Sequence, residues 1–107
     1  MYIYMIKDFE ENVKVGIAAN PEKRLKQLQT GHPQKLEIYY KEEFDYKRNH
    51  ILKIENKLHN DLSIRFPKLQ GEWFKVKEEE LETVKNVVIF FRIRYENDTI
   101  SFNRMFR

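Results

Sequence analysis

The sequence predicts an α/β fold: a small central antiparallel sheet, three strands plus a short closing strand, flanked by three helices. Three observations carry that expectation. Runs rich in tyrosine, isoleucine and valine stand at residues 2–6, 13–18 and 36–43. Stretches with apolar residues three and four apart occupy 46–64 and 78–95. Between the second and third strand runs, Asn20-Pro21 sets a capping side chain before a proline at the first helical position, a strong helix start.

Taken in order, Tyr2 to Ile6 is a mostly apolar strand of the kind buried on both faces. The polar stretch Lys7 to Asn12 reads as a hairpin loop, although it has no Asn-Gly or Asp-Gly pair. Val13 to Ala18 returns as a second strand, antiparallel to the first because the connection is short. Leu25 and Leu28 give the first helix its inner face, and Thr30-Gly31-His32-Pro33 ends it. In the third strand Ile38 and Tyr40 alternate with Glu37 and Tyr39. Asp45 is the expected N-cap of a long helix whose stripe is Ile51, Ile54, Leu58 and Leu62, and Pro67 stops it. Gly71 to Val76 is a turn into a short closing strand. A last helix buries Leu81, Val84, Val88 and Phe91 and runs from an acidic start to a basic end, as its dipole favours. The tail, Ile100 to Arg107, suits either an edge strand or a frayed end.

With 107 residues the chain is expected to form a single domain, residues 1–107, with a core over 1–76 and a C-terminal helix and tail over 77–107. It has 41% apolar and 35% charged residues, the balance of a folded protein, and only three glycines and three prolines, too few for long loops. No cysteine is present, which excludes disulfides and thiolate zinc sites. The apolar start, Met1 to Ile6, is too short and lacks the basic flank of a signal peptide. No run approaches the ~20 apolar residues that span a bilayer. The expectation is an intracellular protein, cytoplasmic or nuclear, with no membrane partner.

The net charge is +3, and the surplus lies up to Gln70, where 13 basic residues face 10 acidic ones; beyond it there are seven of each. A modest positive field suits a polyanion without requiring one. The sequence places a tyrosine (Tyr4), a glycine-ended strand (Lys14-Val15-Gly16) and a helix arginine (Arg24) close together, and Glu55 falls in line with an apolar helix stripe. A phenol, a guanidinium and a half-buried carboxylate are the parts of a metal-assisted phosphodiester cleavage site. An acid on an apolar stripe is costly unless paired, hydrogen-bonded or metal-bound.

These pieces resemble the GIY-YIG nuclease superfamily over residues 1 to 76. Tyr2-Ile3-Tyr4 stands where the family has GIY, and Lys14-Val15-Gly16 where it has YIG. Arg24 falls on the family's helix arginine and Glu55 on its metal-binding glutamate. The Gln29-Thr30-Gly31-His32-Pro33 loop and the Gly71-Glu72-Trp73-Phe74 ending are similar to the branch found in bacteriophages, large DNA viruses and some fungal proteins. The chain departs from the pattern at Tyr2 (glycine in the family), at Lys14 (tyrosine) and at Leu28, near where many members carry a histidine.

The resemblance implies a metal-dependent endonuclease acting on DNA with Mg²⁺ or Mn²⁺. Tyr4, Arg24, Glu55 and Lys14 are the catalytic candidates. Glu55 holds the ion with waters completing the shell, and His59, one helical turn on, is a second candidate ligand. Arg24 presents a fork of donors to phosphate oxygens. Tyr4 relays a proton from water if neighbouring cations such as Lys14 lower its pKa below ~10. Lys14, Lys23, Lys26, Lys57 and His32 are the candidate nucleic-acid contacts, with Glu72 and Trp73 closing the site from below.

Each residue has a plainer reading. Tyr4, Trp73 and Phe74 fill a core; Lys14 is a solvated strand residue; Lys23, Arg24 and Lys26 form a solvated helix face; Arg24 and Glu55 make a structural ion pair. Two other functions follow from those readings. One is a nucleic-acid-binding module that has lost catalysis, which Lys14 and Leu28 favour. The other is a protein-interaction module, and Val87, Ile89 and Phe90, left outside the main stripe of the last helix, offer a face for a homodimer or a protein partner.

Overall fold

The computed structural model describes residues 1–43 and 51–105, with side chains over 1–43 and 53–94. The elements are β1 (Tyr2–Lys7), β2 (Asn12–Ala18), α1 (Pro21–Thr30), β3 (Glu37–Glu43), α2 (Ile51–Arg65), β4 (Trp73–Lys75), a 3₁₀ turn (Glu78–Glu80) and α3 (Leu81–Met105). They form one four-stranded sheet in the order β3-β1-β2-β4, antiparallel throughout, with three helices around it. The α/β class and the antiparallel first hairpin are therefore as the sequence predicts. Among the described residues no helix is long and apolar enough to cross a membrane.

Strand β1 is central, which explains why its pattern is apolar on both faces. Ile3 and Met5 point, with Val13 and Val15 of β2, into a core completed by Leu58 and Leu62 of α2, Phe74 of β4, and Leu81, Val84 and Val88 of α3. Tyr4 and Ile6 point the other way, against Leu36 and the half-buried Leu25 and Leu28 of α1. The hairpin closes without an Asn-Gly turn because the Asp8 carboxylate replaces it. That group accepts from the backbone N–H of Glu10 (2.8 Å) and of Asn12 (3.0 Å) and from the Asn12 amide (2.7 Å). Asn20 caps α1 as expected, its side-chain oxygen accepting from Lys23 N–H at 3.1 Å.

The chain departs from expectation at its end. The last helix does not stop near Tyr95 but continues as α3 to Met105, so the tail up to that point is neither an edge strand nor frayed. No glycine or proline occurs beyond Gly71, so nothing in the sequence interrupts the hydrogen-bond ladder. Val87, expected outside the buried stripe, packs against the core, whereas Phe90 is 68% exposed. Asp45 and the expected start of α2 at Tyr46 lie outside the described residues.

Candidate functional site

The site is built on the edge of β2 that β4 leaves bare. Strand β4 pairs only with Asn12, Val13 and Lys14, so the backbone groups of Val15 and Ile17 on that side have no strand to meet. Exposed or unpaired ladder groups require other partners. Helix α2 supplies them: Glu55 Oε2 accepts from Ile17 N–H at 3.1 Å, and His59 Nε2 lies 2.6 Å from the Val15 carbonyl oxygen. A carbonyl only accepts, so His59 presents an N–H at Nε2 and turns its other ring nitrogen, Nδ1, away from this contact. His59 is buried, tilted against Phe74 with ring centroids 5.7 Å apart. The spacing of four that puts Glu55 and His59 on one helix face thus matches the spacing of two along the strand edge.

Glu72, just before β4, joins this pair. Its Oε2 lies 3.0 Å from the Nζ of Lys14, which is itself buried and 5.8 Å from the centroid of the Trp73 ring. Lys14 and Trp73 are cross-strand partners, which places the ammonium beside the turn that carries Glu72. Ligand atoms of Glu55, His59 and Glu72 all lie within 4.8 Å of one another. Burial pushes the Glu55 carboxyl up to about 7, helped by its hydrogen bond to Glu72 and by the charge there. On Glu72 burial acts in the same upward direction, but the hydrogen bonds from Glu55 and Lys14 outweigh it and hold the group low. The two acids therefore share one proton, carried by Glu55.

Tyr4 occupies the middle of β1 opposite Gly16, with its ring 2% exposed. A Cβ at Gly16 would stand 2.6 Å from the Tyr4 hydroxyl oxygen and 2.8 Å from Cζ, so the glycine is the seat on which the phenol lies. Arg24, half-buried on α1, stands beside the same hydroxyl, near enough to act on its titration. Glu72 and Glu55 are close enough for their charges to act on it. The expectation that cations lower the Tyr4 pKa is overturned. Burial pushes it up, and the neighbouring Arg24 only partly opposes the rise. Tyr4 therefore stays protonated at neutral pH.

Tyr4, Arg24, Lys14, Glu55 and His59 are thus brought together, and Glu72 is added to them. Its position in the Gly71-Glu72-Trp73-Phe74 stretch was visible, but its link to Lys14 depends on the β2–β4 register. The alternative reading of an Arg24–Glu55 ion pair is not met among the described residues, and Arg24 lies beside Tyr4 instead. His32 stacks on Trp73 (5.5 Å between centroids, 27° between planes), and both line a concavity of about 440 Å³ with Asn12, Lys14 and Glu72. The expected helix cations are less uniform. Lys23 and Lys26 are exposed on α1. Lys57 does not face the site: two residues past Glu55 is ~200° around a helix, and its side chain lines the groove between α2 and α3.

Two measurable consequences arise from this geometry. In Gly16→Ala the new methyl has to displace the buried phenol. Unfolding is expected at lower denaturant, by about 1–3 kcal/mol of overpacking, and a melt identical to wild type would refute the seat. The second concerns pH. An acid raised from 4.5 to about 7 contributes stability that is fully present below the unfolded value and lost as pH climbs through the folded one. The lowered pKa of Glu72 acts below 4.5, outside that window. Between about pH 5 and pH 8 the metal-free protein should therefore lose stability. The loss is on the order of 1–2 kcal/mol once the partly open site is discounted, and Glu55→Gln should flatten the trend.

An antiparallel sheet that sets a phenol, a guanidinium, a lysine and two carboxylates near one another defines a small α/β domain compatible with a nuclease-like or DNA-binding role. The T5orf172 domain model matches residues 1–89, and the chain belongs to that family, which is found in phage and related proteins and has a GIY-YIG-like fold. No curated protein and no solved structure matches the chain.

Proposed function

We propose that the protein is a metal-dependent endonuclease that cleaves DNA phosphodiester bonds in the manner of the GIY-YIG superfamily. The observation that carries this reading is the meeting of Glu55, His59 and Glu72 beside the Tyr4–Arg24 pair. The donor set fits a divalent ion: two carboxylates that share a proton without one, and an imidazole whose Nε2–H is already anchored on a backbone carbonyl. Glu55, Glu72 and Nδ1 of His59 would hold Mg²⁺ or Mn²⁺, which when bound supplies a water of lowered pKa and positive charge near the phosphorane.

The remaining roles belong to the chain itself. Arg24 offers its outer N–H groups to phosphate oxygens, and its contact with Tyr4 fixes the fork in place. Tyr4, protonated, donates to the phosphate or to the leaving oxygen. Lys14 keeps Glu72 ionised, and so keeps one carboxylate available at all working pH values. The plain test is nicking of supercoiled plasmid: conversion to open circles with Mg²⁺ or Mn²⁺ and none with chelator is the expected result.

The second reading, a DNA-binding module without catalysis, draws on Lys14, which already neutralises one of the two acids. Binding at several salt concentrations separates it from the first. With Lys14 committed to Glu72 and Lys57 facing elsewhere, Lys23, Arg24 and Lys26 remain as phosphate contacts. At ~0.9 per phosphate on duplex the slope should be shallow, ~2–3. Salt-dependent binding without nicking would leave the module reading; no affinity at low salt would leave a protein-interaction role.

A further inference from the structure

A groove of about 940 Å³ separates α2 from α3 on the side away from Glu55. Its lining combines apolar Ile64, Val87, Phe90 and Phe91 with charged Lys57, Asp61, Arg65 and Arg94. Ile64 is 83% exposed and Phe90 68%, the two most exposed large apolar side chains among the described residues. Apolar side chains so open to water, set among charged ones, mark an interaction surface. None of the chemistry above uses it.

We infer that this face binds a second copy of the same chain, with the two α3 helices antiparallel. The case rests on charge order. Along the groove-facing side of α3 the residues run Thr83, Asn86 and Val87, Phe90 and Phe91, Arg94, three and four apart. Glu79 and Glu80 of the 3₁₀ turn stand four and three residues before Thr83, a spacing that continues the stripe, and Glu80 also accepts from Lys77 N–H at 3.4 Å. The stripe is acidic at one end, apolar in the middle and basic at the other. Laid antiparallel on its own copy about a two-fold axis near Val87, it sets Arg94 of each chain against Glu79 and Glu80 of the other, with Phe90 between. The helix dipoles then also oppose. A parallel arrangement would stack like charges at both ends.

Sedimentation equilibrium on the full chain, from low-micromolar to near-millimolar concentration, tests the inference. A monomer–dimer equilibrium is expected, and a monomer throughout would overturn it. Phe90→Glu, at an exposed position, should abolish the dimer, leave the circular dichroism unchanged and leave melting unchanged at concentrations where the wild type is monomeric. The charge order supplies an independent test. Arg94→Glu alone, and Glu79→Lys with Glu80→Lys in another chain, should each weaken self-association several-fold. Mixing the two variants should restore a heterodimer, because both of its charged contacts are then of opposite sign. Variants that self-associate as well as wild type, or that fail to pair when mixed, would refute the antiparallel arrangement.

Discussion

Replacing Glu55 by alanine is expected to abolish divalent-ion-dependent nicking, a fall of ~10²–10³-fold or more, because the carboxylate is the central member of the proposed ion site. Alanine also removes the acceptor for Ile17 N–H at the edge of β2, so some destabilisation accompanies the loss, about 1–3 kcal/mol for an orphaned buried donor. Glu55→Gln separates the two effects. Glutamine keeps an acceptor for Ile17 and resembles the protonated acid, so near pH 5 the variant should melt like wild type and, at any pH, still not cut. Its melting temperature should also fail to rise with added Mn²⁺, whereas the wild type gains stability by mass action. The wild-type gain should be larger at pH 8 than at pH 6, where the shared proton competes with the ion. Nicking by Glu55→Gln at the wild-type rate would remove Glu55 from the chemistry and leave it as a cap on a strand edge.

That structural duty shows what the sequence does and does not reveal. An acid in line with Ile54, Leu58 and Leu62 advertises an unusual environment, and the first plain explanation was a pair with Arg24. The partner proved to be a backbone amide. Nothing in the local sequence of α2 announces it, because the need arises on β2, where β4 ends after three residues. His59 follows the same logic: a histidine one turn from a glutamate suggests a ligand, yet its contact with Val15 depends on how short β4 is. Strand length and register are tertiary outcomes, and they also decide that Lys14 meets Glu72. By contrast, the direction of Lys57 was legible from helix geometry alone, since positions i and i+2 never share a face.

The fold itself was readable because its signals are local and agree with one another. Asn20-Pro21 starts α1, the central β1 is apolar on both faces, and the Leu58–Leu62 and Leu81–Val84–Val88 stripes meet in one core. The hairpin forms as expected without its usual turn pair, since one carboxylate, Asp8, makes three bonds in place of a glycine. The Tyr4 pKa failed for another reason. Neighbouring cations were foreseeable, but the depth of burial that outweighs Arg24 was not, and it keeps the phenol protonated.

Arg24→Ala is expected to lower the single-turnover cleavage rate by ~10²-fold at saturating DNA, the loss typical of one preorganised donor at a developing charge. The effect on binding should be much smaller, with the salt slope falling by about one contact. Arg24→Lys keeps the charge, so it should recover affinity and slope. It should recover little of the rate, because an ammonium cannot hold the Tyr4 hydroxyl and a phosphate oxygen in the fixed plane of a guanidinium. Tyr4→Phe provides the matched control: it removes the hydroxyl beside Arg24 while keeping the ring on its Gly16 seat. If Arg24 acts through that hydroxyl, the double variant Arg24→Ala with Tyr4→Phe should cut no more slowly than the worse single one. Equal and additive losses would mean that the two groups touch the phosphate independently. A wild-type rate in Arg24→Ala would show that the guanidinium merely covers the buried phenol.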